Sequence, residues 1–101
     1  MTDIFEEIIK VKAEGEEAAL VTVISTSGST PRKEGAKMLV RADGSIVGTV
    51  GGGKIEVQAI KEALDVIRKA SSKRLNFSLK EGDELGMICG GDTELFIEPI
   101  K

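Results

Sequence analysis

Apolar residues recur along the chain at two spacings, one helical and one extended. Ile4, Ile8 and Val11, flanked by Phe5 and Ile9, repeat with the period that lays a stripe along one side of a helix. Thr2 or Asp3 can accept hydrogen bonds from the first free backbone N–H groups, and Gly15 among acidic neighbours supplies a stop. The pattern predicts a helix over about residues 3–12. The next run, Ala-Ala-Leu-Val-Thr-Val-Ile-Ser-Thr from Ala18 to Thr26, is rich in β-branched residues and apolar on both parities. That is the pattern of a central strand covered on both faces.

Met38-Leu39-Val40-Arg41 and Ser45-Ile46-Val47-Gly48 flank Ala42-Asp43-Gly44, and Asp-Gly between two short β-prone runs predicts an antiparallel hairpin. Val57, Ile60, Ala63, Leu64 and Ile67 mark a second amphipathic helix that starts after the glycines at 51–53 and ends near Arg68 and Lys69, where positive charge suits the helix dipole. Ala70-Ser71-Ser72 is its exit. Leu75, Phe77 and Leu79 alternate as in a strand, the polar turn Lys80-Glu81-Gly82-Asp83-Glu84 follows, and Thr93 to Pro99 form a last strand that Pro99 helps to end. The order helix, strand, hairpin, helix, strand, strand places the chain in a mixed α/β (α+β) class: one compact domain, a mixed sheet and two helices packed on it. At 101 residues the chain suits one hydrophobic core.

Charge narrows the partners. Lys plus Arg is 14 and Asp plus Glu is 17, a net charge of −3 with neither sign gathered into a long run, which argues against nucleic acid as the partner. The three phenylalanines, Phe5, Phe77 and Phe96, sit inside apolar patterns and suit core packing. The opening residues have no basic n-region, and nothing approaches the roughly 20 apolar residues of a membrane span. The chain is read as neither exported nor membrane-bound. A lone cysteine, Cys89, cannot form an intramolecular disulfide and fits the reducing cytoplasm.

Glycine is clustered rather than scattered. Ser27-Gly28-Ser29-Thr30-Pro31-Arg32 follows the central strand, Gly51-Gly52-Gly53 precedes the second helix, and Gly90-Gly91 follows Cys89. Tight turns alone account for any one cluster, whereas three in one small domain point to a ligand surface. Gly51-Gly52-Gly53 at a helix start exposes N–H groups backed by the positive end of the dipole, which suits phosphate or carboxylate. Neither a Walker loop nor a Gly-x-Gly-x-x-Gly dinucleotide fingerprint is present. Glu56 has a local alternative: with Gly53 as N-cap it stands at N3 and can bond back to the cap amide. Ser29, Thr30 and Arg32 offer hydroxyls and a planar charged fork suited to phosphate, or else form an ordinary solvated turn. Cys89 is either a packed apolar residue or a thiol left uncovered by the two glycines after it. The chain has no histidine, which excludes a Cys-His nucleophile within one chain and, with a single cysteine, argues against a zinc site.

Taken in order, Gly28-Ser29-Thr30-Pro31-Arg32, Gly35-Ala36-Lys37-Met38-Leu39-Val40, Asp43-Gly44, Gly48-Thr49-Val50-Gly51-Gly52-Gly53 with Glu56, Cys89-Gly90-Gly91 and Glu94-Leu95-Phe96-Ile97-Glu98-Pro99 resemble the N-terminal domain of the XdhC/CoxI family. These are accessory proteins of molybdenum hydroxylases such as xanthine dehydrogenase and carbon monoxide dehydrogenase. The resemblance implies a carrier and chaperone rather than an enzyme. Such a protein binds the molybdopterin (molybdenum) cofactor, protects it while a cysteine desulfurase supplies its sulfido ligand, and helps insert it into the apo molybdenum hydroxylase. It further implies that Gly28, Ser29, Thr30 and Arg32, with Gly51, Gly52, Gly53 and Glu56, hold the pterin's phosphate and polar edge. Cys89, beside Gly90 and Gly91, would lie close to the molybdenum or its dithiolene.

Two departures bear on that expectation. Many members carry a cysteine directly after the paired glycines, which this chain lacks, so a two-thiol site is not available within one chain. Larger members continue into a C-terminal Rossmann-like domain, and this sequence stops at Lys101; if that domain is needed for transfer, the chain works with a separate partner, acts as a homodimer, or has lost the activity. Two other functions stay open from the residues: a sulfur relay through Cys89, and a small self-associating interaction domain without ligand.

Overall fold

The structure, a computed structural model, describes residues 3–27, 34–51, 53–79 and 91–100. Helix α1 spans Ile4–Ala13 and is closed at both ends by its own sequence. The Asp3 side chain accepts from the Phe5 N–H at 2.9 Å, Glu6 and Glu7 occupy the first turn and Lys10 and Lys12 the last, as the dipole favours. At the exit, Glu16 N–H reaches the Val11 carbonyl and Gly15 N–H the Lys12 carbonyl, with Gly15 at φ 71°. This is the paired-bond Schellman ending, which wants glycine at its left-handed position.

The strands are β1 (Ala18–Ser27), β2 (Lys37–Arg41), β3 (Ile46–Gly48), β4 (Lys73–Leu79) and β5 (Gly91–Ile100), with helix α2 (Gly53–Lys69) between β3 and β4. They form one sheet in the order β3-β2-β1-β5-β4. The run from Ala18 is central, as its two-sided apolar pattern requires. Ala19, Val21 and Val23 join Met38, Val40, Leu95 and Ile97 in a core against Ile55, Ala59, Ala63 and Val66 of α2. On the opposite face Ala18 and Leu39 pack with Val11, Ile4 and Ile8 of α1. An ion pair between Arg41 of β2 and Glu7 of α1 ties that helix down.

The two helices and the α+β class are as the sequence predicts, but the sheet is not mixed. Every neighbouring pair among the described strands is antiparallel. The reason lies in the crossover. By the alternation of directions β3 and β4 run the same way, yet they occupy opposite edges, so the α2 connection never makes them neighbours. The 17 residues of α2 extend about 25 Å at 1.5 Å per residue. That is enough to cross roughly 19 Å of sheet, four spacings of about 4.8 Å.

The hairpin is also as predicted. Arg41 N–H bonds to the Ser45 carbonyl, Gly44 N–H to the Arg41 carbonyl, and Gly44 stands at φ 89°. Asp43 Oδ1 accepts from the Ser45 hydroxyl at 2.6 Å and the Ser45 N–H at 2.9 Å. These bonds, the hydroxyl's first, hold the Asp43 carboxyl below its ordinary value. Pro99 does not end the last strand, which runs on to Ile100. Pro99 pairs with Ala19 on the β1 side, beyond the last β4 partner at Ile97, where a missing donor disturbs no second ladder.

Candidate functional site

The register carries the ends of β1 and β4, the start of β5 and the β3–α2 junction to one end of the sheet. Moving along the strands from Val21, Met38, Gly48, Ile97 and Lys73, which lie in one row, the pairs continue through Thr26 opposite Thr93 to Ser27 opposite Asp92 and Leu79 opposite Gly91. The described chain therefore leaves β1 and β4 and re-enters at β5 on the same end. Strand β3 points the same way as it runs into Thr49 and Gly51. A bulge between Val23 and Ser25 interrupts β1 on the way, the kind of irregularity that re-aims a strand near its end. The two ladder bonds between Val23 and the segment before β2, Val23 N–H to Ala36 carbonyl at 2.9 Å and Gly35 N–H to Val23 carbonyl at 2.7 Å, bring that returning chain to the bulge.

The junction from β3 into α2 is built from residues 48 to 56. Gly48, Gly51 and Gly53 stand at φ 84°, 134° and 63°, positive-φ conformations that favour glycine whether or not a ligand binds. Between them Val50 is buried in the α2 core. The Thr49 hydroxyl donates to the Glu56 carboxylate and accepts from the Gly51 N–H at 3.1 Å. A serine or threonine hydroxyl that takes the amide two residues ahead is a local turn motif, and here it is anchored to the helix that follows. Glu56 thus reaches back from the first turn to Thr49.

Of the residues singled out from the sequence, Gly51, Gly53, Glu56 and Gly91 fall on the described chain at this end. Gly28, Ser29, Thr30, Arg32, Gly52, Cys89 and Gly90 lie outside the described residues. Among the described residues no group of three or more His, Cys, Asp or Glu could hold a metal ion, and no helix is long and apolar enough to cross a membrane.

Two residues at this end carry no flag in the sequence. The role of Thr49 rests on closure of the loop onto α2, which a threonine two positions before a glycine signals only weakly. Thr93, on the α2 side of β5, is 3% exposed, and its hydroxyl finds no hydrogen-bond partner among the described residues. The described donors at the start of α2 are backbone N–H groups, a set that fits the phosphate of a phosphorylated ligand.

Comparison with known proteins gives a consistent result. The model of the XdhC and CoxI family matches residues 11–78. The chain is 38% identical over 97 residues to the uncharacterized protein YqeB of Escherichia coli, covering 94% of the chain and 18% of that protein. It is 31% identical over 108 residues to the molybdenum cofactor insertion chaperone PaoD of Escherichia coli, covering 100% of the chain and 33% of PaoD. A probable xanthine dehydrogenase component of Bacillus subtilis is 29% identical over 89 residues, 84% of the chain and 27% of that protein. A crystal structure of a xanthine dehydrogenase from Bacillus halodurans superposes with a TM-score of 0.85 at 28% identity, over 99% of the chain and 31% of that structure. The chain spans a third or less of the length of each of these relatives.

Proposed function

The chain belongs to the XdhC and CoxI family, and from that membership we propose that it carries the molybdenum cofactor during maturation of a molybdenum hydroxylase. The observation that carries this reading is the similarity to PaoD, a molybdenum cofactor insertion chaperone, along the whole of the chain. The gathering of β1, β4, β5 and the β3–α2 junction at one end of the sheet supports it, because segments distant in sequence then border one region.

In this reading the Gly51-Gly52-Gly53 segment holds the pterin's phosphate at the start of α2, through N–H groups other than that of Gly51, which donates to Thr49, and with the helix dipole favouring an anion. Gly28, Ser29, Thr30 and Arg32 supply further donors from the segment that leaves β1. Cys89, followed by Gly90 and Gly91, approaches the molybdenum. The cofactor itself brings the metal, its dithiolene and its exchangeable sulfido ligand. The chain's part is to bind, shield and release it to the apo hydroxylase, with a cysteine desulfurase supplying the sulfur.

The test is a titration of the purified chain with molybdenum cofactor freshly released, without oxygen, from a molybdenum hydroxylase, followed by pterin fluorescence. Saturable binding that Arg32→Ala weakens is the expected result. No binding to the folded chain would overturn the reading.

A further inference from the structure

Resting on the reading that the segment entering α2 contacts the cofactor, we propose that Thr49, held by Glu56, is a positioning residue for that segment. A threonine hydroxyl has one proton and two lone pairs. Here the proton goes to the Glu56 carboxylate and a lone pair receives the Gly51 N–H at 3.1 Å. The direction of each bond therefore fixes the other: with the carboxylate as acceptor, the hydroxyl must donate to it and can only accept from the amide.

The bracket has a consequence for binding. Gly51, at φ 134°, occupies backbone space open almost only to glycine, and glycine loses more conformational freedom on ordering than any other residue. A glycine-rich segment that had to order when a ligand arrived would bind it more weakly, by on the order of tenfold for each residue fixed. Thr49 orders Gly51 before any ligand is present. Val50, 1% exposed in the α2 core, anchors the same segment from below.

Glu56 matters for a second reason. A carboxylate in the first turn of a helix occupies the field that would otherwise favour an anionic ligand. Bonded to Thr49, it is directed toward the loop hydroxyl and acts through Thr49 on the backbone, which makes it a brace and not an anion ligand. This assigns Glu56 a different role from direct contact with the cofactor.

The experiment compares the wild-type chain with Thr49→Val, which keeps the shape and removes the hydroxyl, and Thr49→Ser, which restores it. Two readouts are taken: exchange of the Gly51 amide hydrogen in the ligand-free protein by NMR, and affinity for added molybdenum cofactor by pterin fluorescence. Expected for Thr49→Val are Gly51 exchange at least about tenfold faster, cofactor affinity lower by on the order of tenfold, and a folded protein whose urea midpoint falls only modestly, with Thr49→Ser like wild type. Wild-type affinity in Thr49→Val would overturn the proposal while leaving the cofactor reading intact. Loss of affinity together with global stability, unrescued by serine, would overturn it as well. A wild-type chain that binds no cofactor would instead sink the functional reading and this proposal with it.

Discussion

A β-carbon placed on Gly48 would lie 2.6 Å from the carbonyl oxygen of Lys37 on the neighbouring strand. That contact is far inside van der Waals distance, and the obstacle is backbone, which moves only with the β2–β3 ladder. Gly48 also stands at φ 84°, a left-handed conformation that costs other residues about 1–2 kcal/mol. Gly48→Ala is therefore expected to lower stability by at least about 2 kcal/mol, read as a lower urea midpoint with an unchanged denaturant slope. A midpoint within error of wild type would contradict the described junction.

Ala70 presents the reverse case. It follows α2 at φ 53°, where glycine is the favoured residue after a helix. Ala70→Gly relieves the strain of a Cβ in left-handed backbone, offset by the greater freedom glycine has in the unfolded chain. The expected result is a gain of about 0.5–1 kcal/mol, measured by the same denaturation. A loss would mean that the exit from α2 is not left-handed.

Lys73 at the start of β4 bonds to Glu62 at 2.7 Å and Asp65 at 3.1 Å, both on α2. The bond from Lys73 is the main cause holding Glu62 below its ordinary value of 4.5 and Asp65 below 3.8. The bond to Glu62, then that to Asp65, raises Lys73 above 10.5. Groups with depressed values contribute stability that is present above their unfolded values and lost as pH falls through the folded ones. The carboxylate part is thus lost below about pH 4.5. The lysine part is present below pH 10.5 and lost as pH rises past it. Solvent screens these partly exposed groups, so the effect is modest. Lys73→Met should flatten the decline of the urea midpoint between pH 5 and pH 3. Parallel declines in the two proteins would show that the cluster does not couple α2 to β4.

Thr93 offers a test at the proposed site. Its buried hydroxyl has no partner among the described residues, and replacing an unpartnered hydroxyl by a methyl group of the same shape is near neutral or stabilising. Thr93→Val should leave the urea midpoint unchanged or raise it. A fall of more than about 1 kcal/mol would show that the hydroxyl is bonded, and would place a polar partner at the end of β5.

Much of the fold was legible because its signals are local. Asp3, Gly15 and the Asp43-Gly44 turn act through bonds within a few residues, and those elements lie where the pattern put them. The central place of β1 was legible too, since Ala18 and Ala19 bury on opposite faces. Strand order was not. Nothing in the residues of α2 states that it crosses to the far edge instead of to the next strand, and the expectation of a mixed sheet failed there. At the candidate site the glycines were legible as positions but not as causes. Gly51 and Gly53 meet backbone demands of their own, so their presence serves turn geometry and leaves ligand binding to be tested. Thr49 was missed because its role depends on Glu56, seven residues on.

Whether this chain holds molybdenum cofactor is read from the metal and pterin content of the protein purified without oxygen from a cofactor-producing host supplied with molybdate. Molybdenum and pterin in equal amounts, at a substantial fraction of one per chain and lost in Arg32→Ala, is the predicted result. A folded protein that emerges with neither, and takes up neither when the cofactor is added, would contradict the cofactor reading.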